Sequence, residues 1–114
     1  MKKINIVKKN QDFQRIIKNT KSLVSNEFVI YVEKCNSNNY HFGISVSKKL
    51  GNAVTRNKLK RQIKSIIDKK NYQNNFNCII ILRKGILRLD YHSIQEALFK
   101  QINKLNIIKE EEDV

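Results

Sequence analysis

Seven cations and no carboxylate lie between Lys48 and Lys64, in the stretch KKLGNAVTRNKLKRQIK. Arg56, Lys60 and Lys64 recur every four residues, which places them in one stripe along a helix. Asn57 and Arg61 fall beside that stripe with the same spacing. Like charges so placed weaken an isolated helix by about a few tenths of a kcal/mol per pair. Asp68 is the one carboxylate on the helical segment, so little offsets the repulsion locally. A phosphate backbone removes it, and counterions released from the polyanion drive association. A short Lys/Arg run is ordinarily just a solvated face. Here the spacing, the single sign and the adjacent Lys48-Lys49 pair favour nucleic acid.

Residues suited to bond-breaking chemistry are not grouped. His41 and His92 fall on different elements, with no evident Asp or Cys partner. Asp12, Glu27, Glu33, Asp68, Asp90 and Glu96 are scattered, with no pair spaced to bind Mg²⁺. Gly51 to Lys58 lacks the second glycine and the Lys-Ser/Thr step of a P-loop. Cys35 and Cys78 belong to no CxxC or Cys/His pattern, so neither a four-ligand zinc site nor a disulfide framework is expected. By itself the chain is not expected to be a nuclease.

The elements that must position the cations follow from periodicity. Tyr40 to Ser47 alternates, with Phe42, Ile44 and Val46 on a core face. The other face carries His41, Gly43, Ser45 and Ser47, small and polar enough for close approach by a backbone. Gly51-Asn52 breaks the strand pattern, and Asn52 is a suitable N-cap. Leu59, Ile63, Ile66 and Ile67 then fall at i, i+4, i+7 and i+8, one face of a helix running to about Lys70.

Upstream, residues 1 to 9 read as a loose basic arm, and MKKINIVKKN is not a secretory signal. A first helix is expected over Asn10 to Asn19, with Phe13, Ile16 and Ile17 on its apolar face. Lys21 to Ser25 predicts a short edge strand, and Phe28 to Glu33 a longer one. Downstream, Asn71 to Asn77 reads as a loop. Cys78 to Arg83 reads as a central strand and Arg83 to Gly85 as a turn. Asp90 to Asn103 is a last helix, apolar at Ile94, Ala97, Leu98 and Ile102. Residues 109 to 114 carry four consecutive acids and read as a flexible tail.

The order α, β, β, β, α, β, α argues an α+β two-layer sandwich formed by one domain over residues 1–114. Its net charge of +13 and pI near 9.9 suit a nucleic-acid binder. No apolar run approaches a membrane span, and the cytoplasm is the default location.

The run SVSKKLGNAVTRNKLKR resembles the signature of the bacterial ribonuclease P protein subunit. In that family a strand ends in Ser-Lys-Lys, followed by Gly-Asn-Ala-Val, Arg-Asn-Arg and Lys-Arg. The likeness covers nearly the whole chain. Lys58 replaces the second Arg of Arg-Asn-Arg, Lys64 stands where Arg is usual, and His41 where an Arg often precedes the strand glycine. Lys keeps the charge but lacks the bidentate fork of Arg.

The resemblance implies a fold shared with a ribosomal-protein domain, with an unusual left-handed strand–helix–strand crossover turning at Gly51 and Asn52. It implies that the RNA subunit carries the chemistry with its own Mg²⁺, hydrolysing one bond in precursor tRNA to leave the mature 5′ end. It further implies that Lys48, Lys49, Arg56, Asn57, Lys58, Lys60, Arg61 and Lys64 face the ribonuclease P RNA. Phe13, Ile17, Tyr31 and Arg83 would border a cleft for the 5′ leader; Phe13 and Ile17 equally suit a core. No small-molecule substrate and no membrane partner are implied. The alternatives are a generic RNA-binding or ribosomal protein, a DNA-binding regulator and a stand-alone nuclease. The regulator lacks a helix-turn-helix pair before the basic helix, and the nuclease lacks a site.

Overall fold

The computed structural model describes residues 2, 5–7 and 10–109. In chain order it has α1 (Asn10–Asn19), β1 (Ser22–Val24), β2 (Phe28–Lys34), β3 (Tyr40–Ser45), α2 (Ala53–Ile67), β4 (Phe76–Leu82) and α3 (Tyr91–Lys104). Short 3₁₀ turns occupy Lys48–Leu50 and Lys84–Arg88. The sheet order is β1-β2-β4-β3, with β3 and β4 parallel and the other pairs antiparallel. Helix α2 is therefore the crossover between two adjacent parallel strands. The α+β fold and the element order are those expected from the alternation patterns.

One sheet face packs on α2 and α3. Leu59, Ile63, Ile66 and Ile67 of α2 and Ile94, Leu98 and Ile102 of α3 meet Phe28, Ile30, Phe42, Cys78, Ile80 and Leu82. Full burial of each large aliphatic side chain contributes about 1.5–3 kcal/mol, so this layer commits the apolar side of α2 to the core. The opposite sheet face carries Tyr31, Glu33, His41, Gly43, Asn77 and Ile79, and α1 lies across it. Ile16 at the centre of α1 and Ile79 below it are both 0% exposed.

Several boundaries differ from expectation for local reasons. Helix α2 ends at Ile67 rather than Lys70. The N–H groups of Lys69 and Lys70 donate to the Ile66 and Ile67 carbonyls, a tightening to three-residue spacing. The Tyr72 hydroxyl also donates to the Ile67 carbonyl at 2.7 Å. Tyr72 is buried, although its surroundings read as a polar loop. Its ring meets those of Tyr40, Phe42 and Phe76 at centroid distances of 5.0–6.4 Å, and burial pushes its hydroxyl pKa up. Strand β4 begins at Phe76, two residues early, and the expected turn at Arg83 to Gly85 leads into a 3₁₀ segment.

At the N-terminus, residues 5 to 7 contrast with a loose arm. Asn5 is buried and its amide donates to the Tyr40 carbonyl at 2.7 Å. Ile6 bridges Phe42, and the Val7 N–H donates to the Phe42 carbonyl, extending the sheet edge beyond β3. Residues 1, 3, 4, 8 and 9 of that arm lie outside the described residues, as do 110–114 of the acidic tail. Lys109 is described, and its N–H donates to the Asn71 carbonyl.

Candidate nucleic-acid interface

The turn before α2 is fixed by its own side chains. The Ser47 hydroxyl accepts the Lys49 N–H at 3.2 Å, holding Lys48 and Lys49 on an exposed 3₁₀ turn. The Asn52 side chain accepts the Thr55 N–H at 2.9 Å, the N-cap expected from its position. Gly51 between them has φ +147°, a conformation that favours glycine.

Helix α2 then distributes its cations around a wide exposed arc. Asn57, Lys58, Lys60 and Arg61 are exposed, while Arg56 and Lys64 are partly covered where the arc meets the core. The Arg56 Nε is buried and has no hydrogen-bond partner among the described residues. Positions two apart on a helix point about 160° away from each other. Lys58 and Lys60 therefore lie on opposite flanks, with Asn57 and Arg61 between them. Val54, in the first turn, is 75% exposed beside Lys58 and Arg61 and meets no core. Beyond the helix end, Lys69 and Lys70 sit over the rings of Tyr91 and Phe99 on α3, at 4.9 and 5.0 Å. Tyr91 also shares a 2.9 Å hydrogen bond with Ser65, and this bond, together with the nearby Lys69, draws its pKa down.

The candidate cleft residues gather in part. Phe13 and Ile17 project from α1, and Phe13 reaches Gly43, where Ile79 also closes the space. Tyr31 pairs across the sheet with Ile79 and, on its other side, with Ser22. Arg83 lies four residues beyond Ile79, about 13 Å along the strand. Its guanidinium donates to the Ser25 carbonyl at 2.7 Å, clasping the β1–β2 turn. The expectation of a small, open face around Gly43 needs correction: the Phe13 ring occupies the space above that glycine.

Both histidines have partners that the sequence did not reveal. His92 contacts Glu96 at 3.0 Å on the exposed side of α3. His41 is linked to Asn77 at 2.8 Å, across the parallel pair. Asn77 in turn donates to Glu33 at 2.8 Å, and Arg15 of α1 donates to the same carboxylate at 2.8 Å. Only the strand register brings these residues together. Among the described residues, no group of three or more His, Cys, Asp or Glu is arranged to hold a metal ion, and no helix is long and apolar enough to cross a membrane. Cys78 is fully buried, with its thiol pKa pushed up by burial, and Cys35 is free.

Fold and surface define a small basic α+β protein with an exposed cationic helix. A family model, Ribonuclease P, matches residues 1–106. A ribonuclease P protein component from Listeria welshimeri is 38% identical over 115 residues, covering 96% of this chain and 95% of that one. One from Streptococcus agalactiae is 38% identical over 109 residues, covering 95% and 100%. Among solved structures, the RNase P protein of Staphylococcus aureus superposes with a TM-score of 0.81 at 36% identity, covering 92% of this chain and 98% of that one. That of Thermotoga maritima gives 0.74 at 29% identity, covering 88% and 93%.

The chain belongs to the ribonuclease P protein component family. It is a subunit of the endoribonuclease that processes the 5′ end of tRNA, and its partner is RNA.

Proposed function

We propose that α2 and the turn before it bind the ribonuclease P RNA, and that a cleft beside α1, bordered by Phe13, Ile17, Tyr31 and Arg83, receives the 5′ leader of precursor tRNA. The observation that carries the first part is the exposed arc from Lys48 to Lys64, with seven cations and no carboxylate. Lys48, Lys49, Arg56, Asn57, Lys58, Lys60, Arg61 and Lys64 are the contacts. Because Lys58 and Lys60 occupy opposite flanks, the RNA must wrap the helix or approach it from two sides.

Phe13, Ile17 and Tyr31 border the leader cleft, an aromatic-lined strip suited to unpaired bases. Arg83 serves its far end with the donors left over from Ser25. Mg²⁺ belongs to the RNA subunit, which performs the hydrolysis; this chain brings two polyanions together and lowers the electrostatic cost. The whole chain acts as one cytoplasmic RNA-binding domain.

The left-handed path expected for β3–α2–β4 has support in the bonding directions. The Phe42 carbonyl accepts from Val7, away from β4, while the Phe42 side chain joins the core under α2. For an L-residue viewed from its side-chain side with the strand running up, the backbone groups point right. Strand β4 then lies to the left with α2 in front, against the usual hand.

Filter binding across a salt series tests the interface. Neutralising about five phosphates gives a log-affinity slope against log salt near −3.5 to −4.5. A slope near zero contradicts the proposal.

A further inference from the structure

Helix α1 has only ten residues, below the roughly 12–15 at which an isolated helix becomes even marginally stable. Its placement therefore depends on what anchors it to the sheet. Ile16 supplies the buried centre. Phe13 fills the notch above Gly43 on one flank. Arg15, about 160° around the helix from Phe13, donates to Glu33 on the other. Among the described residues this is the one side-chain hydrogen bond joining α1 to the sheet.

The bond does not stand alone. Glu33 is only 14% exposed, and its second oxygen accepts from Asn77. A carboxylate only accepts, so Asn77 must present its N–H₂ to Glu33. Its oxygen is then left for His41, which must donate from Nδ1. The chain Arg15, Glu33, Asn77, His41 thus has a single self-consistent direction and spans α1 and three strands, β2, β4 and β3. Such half-buried networks are rigid when every member is satisfied and fail when one is not.

We infer that Arg15, Glu33, Asn77 and His41 are positioning residues: their network fixes the roll of α1 about its own axis, and so the stance of Phe13 and Ile17 over the leader cleft. This rests on the cleft reading above. With the Arg15 anchor lost, α1 keeps Ile16 as its buried pivot but rolls about it, so that Phe13 and Ile17 shift and the cleft wall moves while the core remains. None of the four residues needs to touch the RNA for this to hold.

Two variants test it in the reconstituted holoenzyme. Glu33→Met keeps the side-chain length but removes both acceptor oxygens, so neither Arg15 nor Asn77 keeps its partner there. Arg15→Met acts from a half-exposed position and leaves the sheet intact. The readout is the affinity for precursor tRNA with a 5′ leader, divided by that for the same tRNA without one. The wild type favours the leader-bearing substrate, and in both variants the ratio falls about ten-fold, the effect of losing one charge-assisted hydrogen bond. The rate at saturating substrate and the affinity for the RNA subunit stay unchanged. An unchanged ratio in both variants, beside a discriminating wild type, overturns the inference. So does a fall in RNA-subunit affinity and melting temperature that tracks the ratio, which marks general damage to the fold. A wild type that does not discriminate overturns the cleft reading itself, and this inference with it.

Discussion

The ring of Phe13 stands where a side chain at Gly43 would begin. A β-carbon at residue 43 would lie 2.5 Å from Phe13 Cζ and 2.8 Å from Ile79 Cδ1. Glycine at this position is thus a packing requirement of α1, not a vacancy for ligand. Gly43→Ala should destabilise the protein by about 1–3 kcal/mol, the usual cost of overpacking, as measured by urea unfolding. Adding Phe13→Leu should recover part of that loss. An alanine variant as stable as the wild type would show that α1 is not seated on this notch.

Gly51 presents a different restriction. Its φ of +147° is closed to most side chains, and a β-carbon there would meet Thr55 Cγ2 at 2.9 Å. Gly51→Ala should cost about 1–3 kcal/mol through backbone strain, with the loss visible in chemical denaturation. The substitution would also displace Lys48 and Lys49 relative to α2, so RNA affinity should fall beyond what the stability change explains. Unchanged stability would contradict the turn geometry.

The start of α3 gives a pH signature. The Asp90 carboxylate accepts the Ser93 N–H at 2.8 Å, and this bond lowers its pKa below the ordinary 3.8. A carboxyl whose pKa falls on folding contributes stability that is complete above its unfolded value. That contribution is lost as pH drops through the folded value. Melting temperature followed downward from pH 5 should therefore fall less steeply in Asp90→Asn, which keeps an N-cap acceptor but cannot titrate. Parallel curves for the two proteins would show that this cap does not contribute to acid sensitivity.

Much of this was readable from residue order, because it depends on local spacing. Leu59, Ile63, Ile66 and Ile67 mark the buried side of α2, and Asn52 and Asp90 cap their helices where their chemistry says they should. The alternation in β2 and β3 assigns Phe28, Ile30 and Phe42 to the core. What escaped depends on register and distant contacts. Tyr72 looks like part of a polar loop until Tyr40, Phe42 and Phe76 close around it. Asn77 is 36 residues or more from His41 and Glu33 and meets them only because β4 lies between β3 and β2. Arg83 reads as a free cation, yet Ser25 holds one of its nitrogens.

The most direct measurement is reconstitution of precursor-tRNA cleavage. The purified chain is mixed with a bacterial ribonuclease P RNA and a leader-bearing precursor tRNA, at Mg²⁺ low enough that the RNA alone is slow. The account predicts restored cleavage at the mature 5′ end, blunted when Arg56→Ala and Arg61→Ala are combined. Binding of RNA with no change in cleavage would contradict it.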